Sequence, residues 1–378
     1  MAKVAHDPSS LIDGGETIRV RPVPDSSLHV NGGDDAYSYT RNSYYQRLAA
    51  NVVKEKIHGA ITMKLDVEKL SCRSNTICVA DLGCAVGPNA FHAMQDILEF
   101  IKQKYKLQCP KSKMLEFLVF FNDQPSNDFN ALFTSFPQER PYFAAGVPGS
   151  FHQRLFPESS IHFVHCSYAL HWLSKLPQEL LDKNSLAWNK GRVHYTNAPD
   201  EVVKAYASQF AKDMLDFLDA RAKELAIGGM MIMIMPGMPD GMPYSQLAAS
   251  LMYDFMASSF MDMANEGFIS EDQVDSFNLP IYTPSPEEMT TLVARNGHFS
   301  IESLELTNPA SLVDGAVDIN AWVIHVRAAM EGMLTKHFTG DSIDEMFERL
   351  TQKLLKFSEQ VESGYKERTQ LLVVLIRK

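Results

Sequence analysis

The stretch Cys78-Val79-Ala80-Asp81-Leu82-Gly83-Cys84-Ala85-Val86-Gly87-Pro88-Asn89 constrains this chain more than any other. It is an apolar run ending in a Gly-rich turn that opens straight into a helix. Val79 and Leu82 favour a strand, Gly83 and Gly87 let the backbone turn tightly, and Pro88 suits a first helical turn. Such a unit either binds a ligand at the strand tip or is a tight core turn with no ligand. The spacing Gly-x-x-x-Gly lacks the third glycine of the dinucleotide fingerprint. No Gly-Lys-Ser/Thr follows, as a triphosphate loop would need.

Further buried strands support an α/β fold. Helical spacing of Phe91, Met94, Ile97, Leu98, Ile101 and Tyr105 predicts a helix over 89–105. Leu115 to Asp123 is near-continuously apolar, as parallel strands are, and ends in an acid, where such folds hold a ribose hydroxyl pair. That acid lies about 40 residues beyond Asp81, further than in a typical nicotinamide-binding unit, which weakens a dehydrogenase reading. Gly146-Val147-Pro148-Gly149-Ser150-Phe151 reads as a loop before a strand at Ile161–Cys166. That strand runs into Tyr168, His171 and Trp172, either ligand contacts at a strand tip or a packed corner. An amphipathic helix over 201–226 leads to Gly228–Gly237, whose methionines read as core. Residues 240–295 change to a Met-rich helix and Pro-punctuated loops, expected to cap the strand tips. Helices near 320–336 and 342–362 precede a terminal strand.

The formal charge of −11 argues against a nucleic-acid partner, since phosphate binding needs a basic face. Cys72, Cys78, Cys84, Cys109 and Cys166 are odd in number and form no C-x-x-C pair, so a reducing cytosol fits. No apolar run reaches membrane-spanning length. Residues 1–28 read as a leader without a role. The polar and aromatic segment 31–46 is either a lid over a ligand or a surface stretch with an N-cap.

Ordered motifs then resemble one family: Asp81-Leu82-Gly83-Cys84 with Gly87-Pro88-Asn89, Phe121-Asn122-Asp123 with Asn127-Asp128-Phe129-Asn130, 146–151, Ser167 to Ser174, and Asp275 to Pro280. The chain is similar, over roughly residues 29–378, to the plant salicylate/benzoate/theobromine family of S-adenosylmethionine-dependent carboxyl methyltransferases. Residues 184–192 and His171 are most like its loganate-type branch. The resemblance implies a Rossmann-like α/β fold, the seven-stranded class I methyltransferase sheet with a helical cap, as a homodimer. Residues 29–240, 296–310 and 365–378 would form the core, and 241–295 with 311–364 the cap. Positions matching the family's cofactor site are Tyr39, Ser43, Asp81, Cys84, Asn89, Asp123, Gln124, Ser150 and Phe151. Gln46, Tyr168, His171 and Trp172 match acceptor-lining positions, joined by Met252 and Tyr253 of the cap. Asn189, Asp275, Phe277 (by its carbonyl) and Asn278 match a magnesium site of some members. Asn31 departs from the pattern, where many members carry Lys.

The expected reaction is methylation of a small carboxylic acid to its ester, with an N-methyltransferase acting on a purine as the alternative. A non-catalytic acid-binding protein is a further rival. A carboxylate with a pKa near 4 is already ionised at pH 7, so no general base is needed. Gln46 and Trp172 offer only N–H donors towards the carboxylate, which can position it without taking a proton.

Overall fold

The computed structural model describes residues 30, 36–72, 74–313 and 315–378. The expected leader and Asn31 lie outside them. Seven extended runs pair into one sheet: β1 (Thr76–Leu82), β2 (Glu116–Asp123), β3 (Phe143–Pro148), β4 (Ile161–Ser167), β5 (Leu225–Pro236), β6 (Phe299–Thr307) and β7 (Gln370–Arg377). Their order is β3-β2-β1-β4-β5-β7-β6. The first five in that order are parallel, whereas β7 runs antiparallel to both β5 and β6. The helices are α1 (Tyr39–Asn42), α2 (Tyr44–Lys64), α3 (Val67–Ser71), α4 (Pro88–Gln108), α5 (Phe129–Thr134), α6 (Asp200–Glu224), α7 (Ser250–Asn265), α8 (Glu271–Asp275), α9 (Pro286–Asn296), α10 (Ile319–Leu334), α11 (Gly340–Lys356) and α12 (Ser358–Lys366). This is the Rossmann-like α/β sheet with a helical cap that the resemblance implies.

Strand alternation explains why both faces of the sheet are covered. Along β5, Met231, Met233 and Met235 pack with Phe210 of α6 and Met289 of α9, while Met230, Ile232 and Ile234 pack with Ile61 of α2 and Met94 of α4. A side-chain period of two sends neighbours to opposite faces, so an unbroken apolar run is what a central strand needs. The methionines are core. A third apolar cluster joins Met256 and Phe260 of α7 to Val326 of α10 and Leu350 of α11, forming the cap.

Two expectations change, and one strand goes unread in the sequence. Residues 146–148, read as a loop, belong to β3, an edge strand with no buried residue in which Pro148 and Gly146 are tolerated because one side lacks a partner. β6 is also an edge strand; its apolar alternation breaks between Ile301 and Leu304 because the register shifts between Ile301 and Ser303, as at a β-bulge. Finally, α9 falls in the expected cap span 241–295 for all but its last residue, yet its Met289, Leu292 and Val293 belong to the sheet's own core.

The antiparallel β7 matters for function. Pairing of Pro236 with Gln370 brings its start to the edge where the parallel strands end. No helix among the described residues is long and apolar enough to cross a membrane.

Candidate active site

The turn after β1 is held by backbone geometry. Gly83 has φ +77°, and a Cβ there would lie 2.3 Å from Ala169 Cβ, so glycine is required for the tips of β1 and β4 to approach. Ala85 adopts φ +53°, unusual for a non-glycine. Its N–H donates to Asp123 Oδ2 at 2.7 Å, and its carbonyl accepts from Asn127 Nδ2 at 3.1 Å, which together hold the conformation. Asn122, buried at the end of β2, accepts from the Gly83 and Cys84 N–H groups through its carbonyl; its side chain donates to Val147 and Gly149. One residue thus ties the β1 turn to the end of β3.

Asp123 stands at the centre of this edge. Its Oδ1 accepts from Gln124 N–H at 2.7 Å, so each oxygen has one backbone donor and keeps lone-pair capacity for another. That pattern fits two adjacent hydroxyls. Burial, with a smaller push from Asp81 and opposed by those two N–H groups, raises its carboxyl from 3.8 to about 6. Burial followed by the Asp123 charge drives the Tyr39 phenol well up, and burial followed by the Asp123 and Asp81 charges does the same to the Cys84 thiol. Both stay neutral. Asp81 is buried and its Oδ1 lies 2.8 Å from Nδ1 of His165, the neighbouring position on β4.

The remaining cofactor candidates sit on connected supports. Asn89, at the start of α4, donates through Nδ2 to the carbonyl and Oγ of Ser43 at 3.0 and 2.9 Å, fastening the α1–α2 junction to the turn. Ser150 and Phe151 follow β3. The buried Arg221 on α6 donates to the carbonyls of Phe151 and Gln153 at 2.7 and 2.9 Å and pairs with Glu224 at 2.7 Å. Glu224 in turn accepts from the N–H groups of Leu155 and Phe156. This satisfied ion pair fixes the loop after β3.

All six acceptor candidates, Gln46, Tyr168, His171, Trp172, Met252 and Tyr253, line one cavity of about 190 Å³. Tyr39, a cofactor candidate, also lines it, so candidate cofactor and acceptor residues adjoin. Tyr168 has φ +54°, and its hydroxyl donates to Gln370 Oε1 at 2.9 Å, so its donor is already engaged. His171 is buried and its Nδ1 has no partner; burial lowers its pKa to about 3, so it is neutral throughout the physiological range. Trp172 is half-buried and bridged to Ile281 by its backbone.

His325 orients Gln46. The Asn42 carbonyl, 2.7 Å from His325 Nδ1, can only accept, so Nδ1 carries the proton and Nε2 is left as an acceptor. Gln46 Nε2 lies 3.5 Å from His325 Nε2 and donates one N–H there, while its Oε1 is buried without a partner. Burial, reinforced by the Arg368 charge and opposed by that carbonyl, lowers His325 to about 4. The imidazole therefore stays neutral and keeps its lone pair.

Of the four expected metal residues, Asn189 and Asn278 meet directly and Asp275 meets the backbone two residues beyond Asn189, while Phe277 is placed beside them only by its sequence neighbours. Asn189 Nδ2 donates to Asn278 Oδ1 at 2.6 Å and to the His194 carbonyl at 3.2 Å, while Asp275 Oδ1 accepts from Gly191 N–H at 2.8 Å. Asn189 Oδ1 is buried without a partner, and so is Asn278 Nδ2. The unfilled acceptor beside one carboxylate suits an oxygen-seeking cation, whereas the unfilled donor does not need one. No cluster of three or more His, Cys, Asp or Glu residues suited to a metal occurs among the described residues.

Sequence reading missed Asn122, Asn127, His165, Arg221, Glu224, His325, Arg368 and Gln370 as site residues. Asn122 and Asn127 stand inside the family motifs, which is the signal that points to them. The others lie on separate elements and carry no local signal.

A model described as "SAM dependent carboxyl methyltransferase" matches residues 25–378. The chain is 46% identical over 352 residues to loganic acid O-methyltransferase of Catharanthus roseus, covering 92% of this chain and 94% of that one. It is 37% identical over 352 residues to farnesoic acid carboxyl-O-methyltransferase of Arabidopsis thaliana, covering 93% and 99%. Among solved structures, loganic acid methyltransferase with SAH matches with a TM-score of 0.88 at 45% identity, covering 92% of this chain and 98% of that one.

Proposed function

The chain belongs to the S-adenosylmethionine-dependent carboxyl methyltransferase family, and from that premise we propose how its residues divide the reaction. The bound cofactor supplies an electrophilic methyl on a sulfonium. On that methyl a carboxylate oxygen would form its bond as the carbon–sulfur bond breaks and its electron pair goes to sulfur, and because the acid is already ionised no proton would need to move. Asp123 accepts from the ribose hydroxyls, Ser150 and Phe151 border the adenine, and Tyr39, Ser43, Asp81, Cys84, Gln124 and Asn89 complete the cofactor site. Trp172 Nε1–H and the second N–H of Gln46 hold the carboxylate. His325 acts through Gln46 as a positioning residue, fixing which way its amide points.

The observation that carries this reading is geometric: Gln46 and Trp172, which donate through N–H groups, line one cavity with the other acceptor candidates, and the neighbouring His171, its pKa lowered by burial to about 3, is a poor base near pH 7. Catalysis then rests on orientation, a contribution of up to about 7–11 kcal/mol in favourable cases, and on excluding water. Tritiated methyl transfer to a panel of aromatic, terpenoid and indole acids tests it. Product counts lost on mild alkaline hydrolysis identify an ester. Alkali-stable counts obtained with purines alone would instead establish N-methylation.

The reading includes a homodimer in the cytosol, as in the resembling family; light scattering decides the first and fractionation the second. It also includes magnesium held by the Asp275 carboxylate, Asn189 Oδ1, Asn278 Oδ1 and the Phe277 carbonyl. One carboxylate among neutral oxygens makes a weak site. Millimolar magnesium should raise the melting temperature by about one degree for about 1 kcal/mol of binding in a chain of this length, and Asp275→Asn should remove the rise. An unchanged melting temperature would dismiss the ion.

A further inference from the structure

Among the described residues, Arg368 is the one positively charged residue lining the acceptor cavity. It sits between α12 and β7, with its guanidinium 4.6, 5.0 and 5.3 Å from the rings of Tyr45, Tyr365 and Trp322. Rings of this kind fix a planar cation without neutralising it. Its Nη1 is buried and has no hydrogen-bond partner, and the same holds for Nε1 of Trp322, a residue 7% exposed on the same wall. Buried donors left unpaired cost roughly 1–3 kcal/mol each, more for a charged group, so a built cavity that keeps two of them is built for an acceptor that arrives from outside.

The acceptor for these donors is not the carboxylate that becomes methylated. Transfer joins an anion to a sulfonium and yields two neutral products, so charge vanishes along the reaction. A guanidinium fixed on the attacking carboxylate would stabilise the reactants more than the transition state and slow the step. Neutral N–H donors, as on Trp172 and Gln46, carry less of that penalty than a full positive charge. A chain of rings separates Arg368 from Trp172, the far arm of the clamp: Tyr45 carries Arg368 on one side and meets Tyr168 edge-on at 5.9 Å on the other, Tyr168 meets His171 at 5.9 Å, and His171 meets Trp172 at 5.5 Å, whereas the near arm, Gln46, is held by His325, which feels the Arg368 charge.

We infer that Arg368 and Trp322 form a second acceptor subsite, and that the enzyme's acid carries a further oxygen function, a hydroxyl or a second carboxylate, remote from the carboxylate that is methylated. This deepens the carboxyl methyltransferase reading and rests on it. The two donors recognise that group and thereby set substrate preference, while the neutral clamp handles the reaction.

The test compares matched acids in the full-length enzyme. Benzoate is set against 3- and 4-hydroxybenzoate and against isophthalate and terephthalate, and cinnamate against 4-hydroxycinnamate. Affinity for the S-adenosylhomocysteine-loaded enzyme is read by calorimetry, and kcat/KM by labelled transfer. The wild-type enzyme should favour at least one oxygenated member over its parent by tenfold or more in affinity. Arg368→Met, and independently Trp322→Phe, which keeps most of the ring and removes the donor, should each cut that ratio at least fivefold. A ratio is insensitive to a general loss of active protein. No preference in wild type, or a preference that survives both variants, overturns the subsite. Preferential binding without any ester formed would sink the transfer reading and leave the subsite standing, whereas ester formation without preference does the reverse.

Discussion

Replacing Asp123 with Asn separates the cost of a buried carboxylate from its use. In the free protein, the rise from 3.8 to about 6 disfavours the ionised form by about 3 kcal/mol. An amide at this position would remove that penalty. Its nitrogen, however, would face one of the two N–H groups of Ala85 and Gln124 and leave it unsatisfied, a cost of about 1–3 kcal/mol. The two effects oppose each other, so Asp123→Asn should melt within a few degrees of wild type. Cofactor affinity has no such compensation: losing hydrogen bonds to a charged acceptor should weaken binding by about 1.5–3 kcal/mol, or about 10–150-fold. The pH dependence follows with a definite sign. A folded value above the ordinary one means that the free protein holds its proton up to about pH 6, and at this group its stability declines as pH rises from about 4 to 6. Binding that requires the carboxylate therefore weakens as pH falls through 6, by about tenfold between pH 7 and 5. Calorimetry with S-adenosylhomocysteine from pH 5 to 8 reads both effects. A folded Asp123→Asn protein that binds like wild type, or a wild-type affinity flat across that range, refutes the argument.

Arg221→Met should destabilise the protein by about 3–5 kcal/mol, because Glu224 would remain as a buried charge without its counter-ion; urea unfolding measures it, and a loss below about 1 kcal/mol contradicts the role assigned to the pair. Tyr253→Ala and His171→Met should reorder the acids accepted more than they change the rate with small ones, since both reshape the cavity wall and neither donates to the carboxylate. A panel of kcat/KM values that keeps the parent ranking in both variants dismisses the cap as selector.

The interior of this fold was legible and its margins were not. β1, β2, β4, β5 and β7 are buried on both faces and so appear as continuous apolar runs. β3 has one free edge, needs no such run, and hides behind Gly146 and Pro148; β6 alternates until its register shift moves Leu304 and Leu306 out of phase with Phe299 and Ile301. The site divides similarly. Asp123 ends β2, and His171 and Trp172 lie in the turn just beyond β4, where position alone suggests a ligand. Arg221 and Glu224 look like an ordinary surface pair three residues apart on a helix, yet are fully buried. His325 is 279 residues from the Gln46 it orients, and Arg368 reaches the cavity only because β7 runs antiparallel. Contacts across such separations leave no local pattern.

The central claim is that the carboxylate is held and no proton is transferred. It is tested most directly by kcat/KM for one accepted acid, from pH 5.5 to 9 at saturating cofactor, in wild type, Trp172→Phe and His171→Asn. Wild type should be flat, the acid being ionised throughout. Trp172→Phe should fall about 10–150-fold at every pH, for a loss of roughly 1.5–3 kcal/mol, while His171→Asn stays active. A near-wild-type Trp172→Phe enzyme beside a dead His171→Asn enzyme, with wild-type activity falling below an enzyme pKa of about 6–7, would show a base at work and contradict the account.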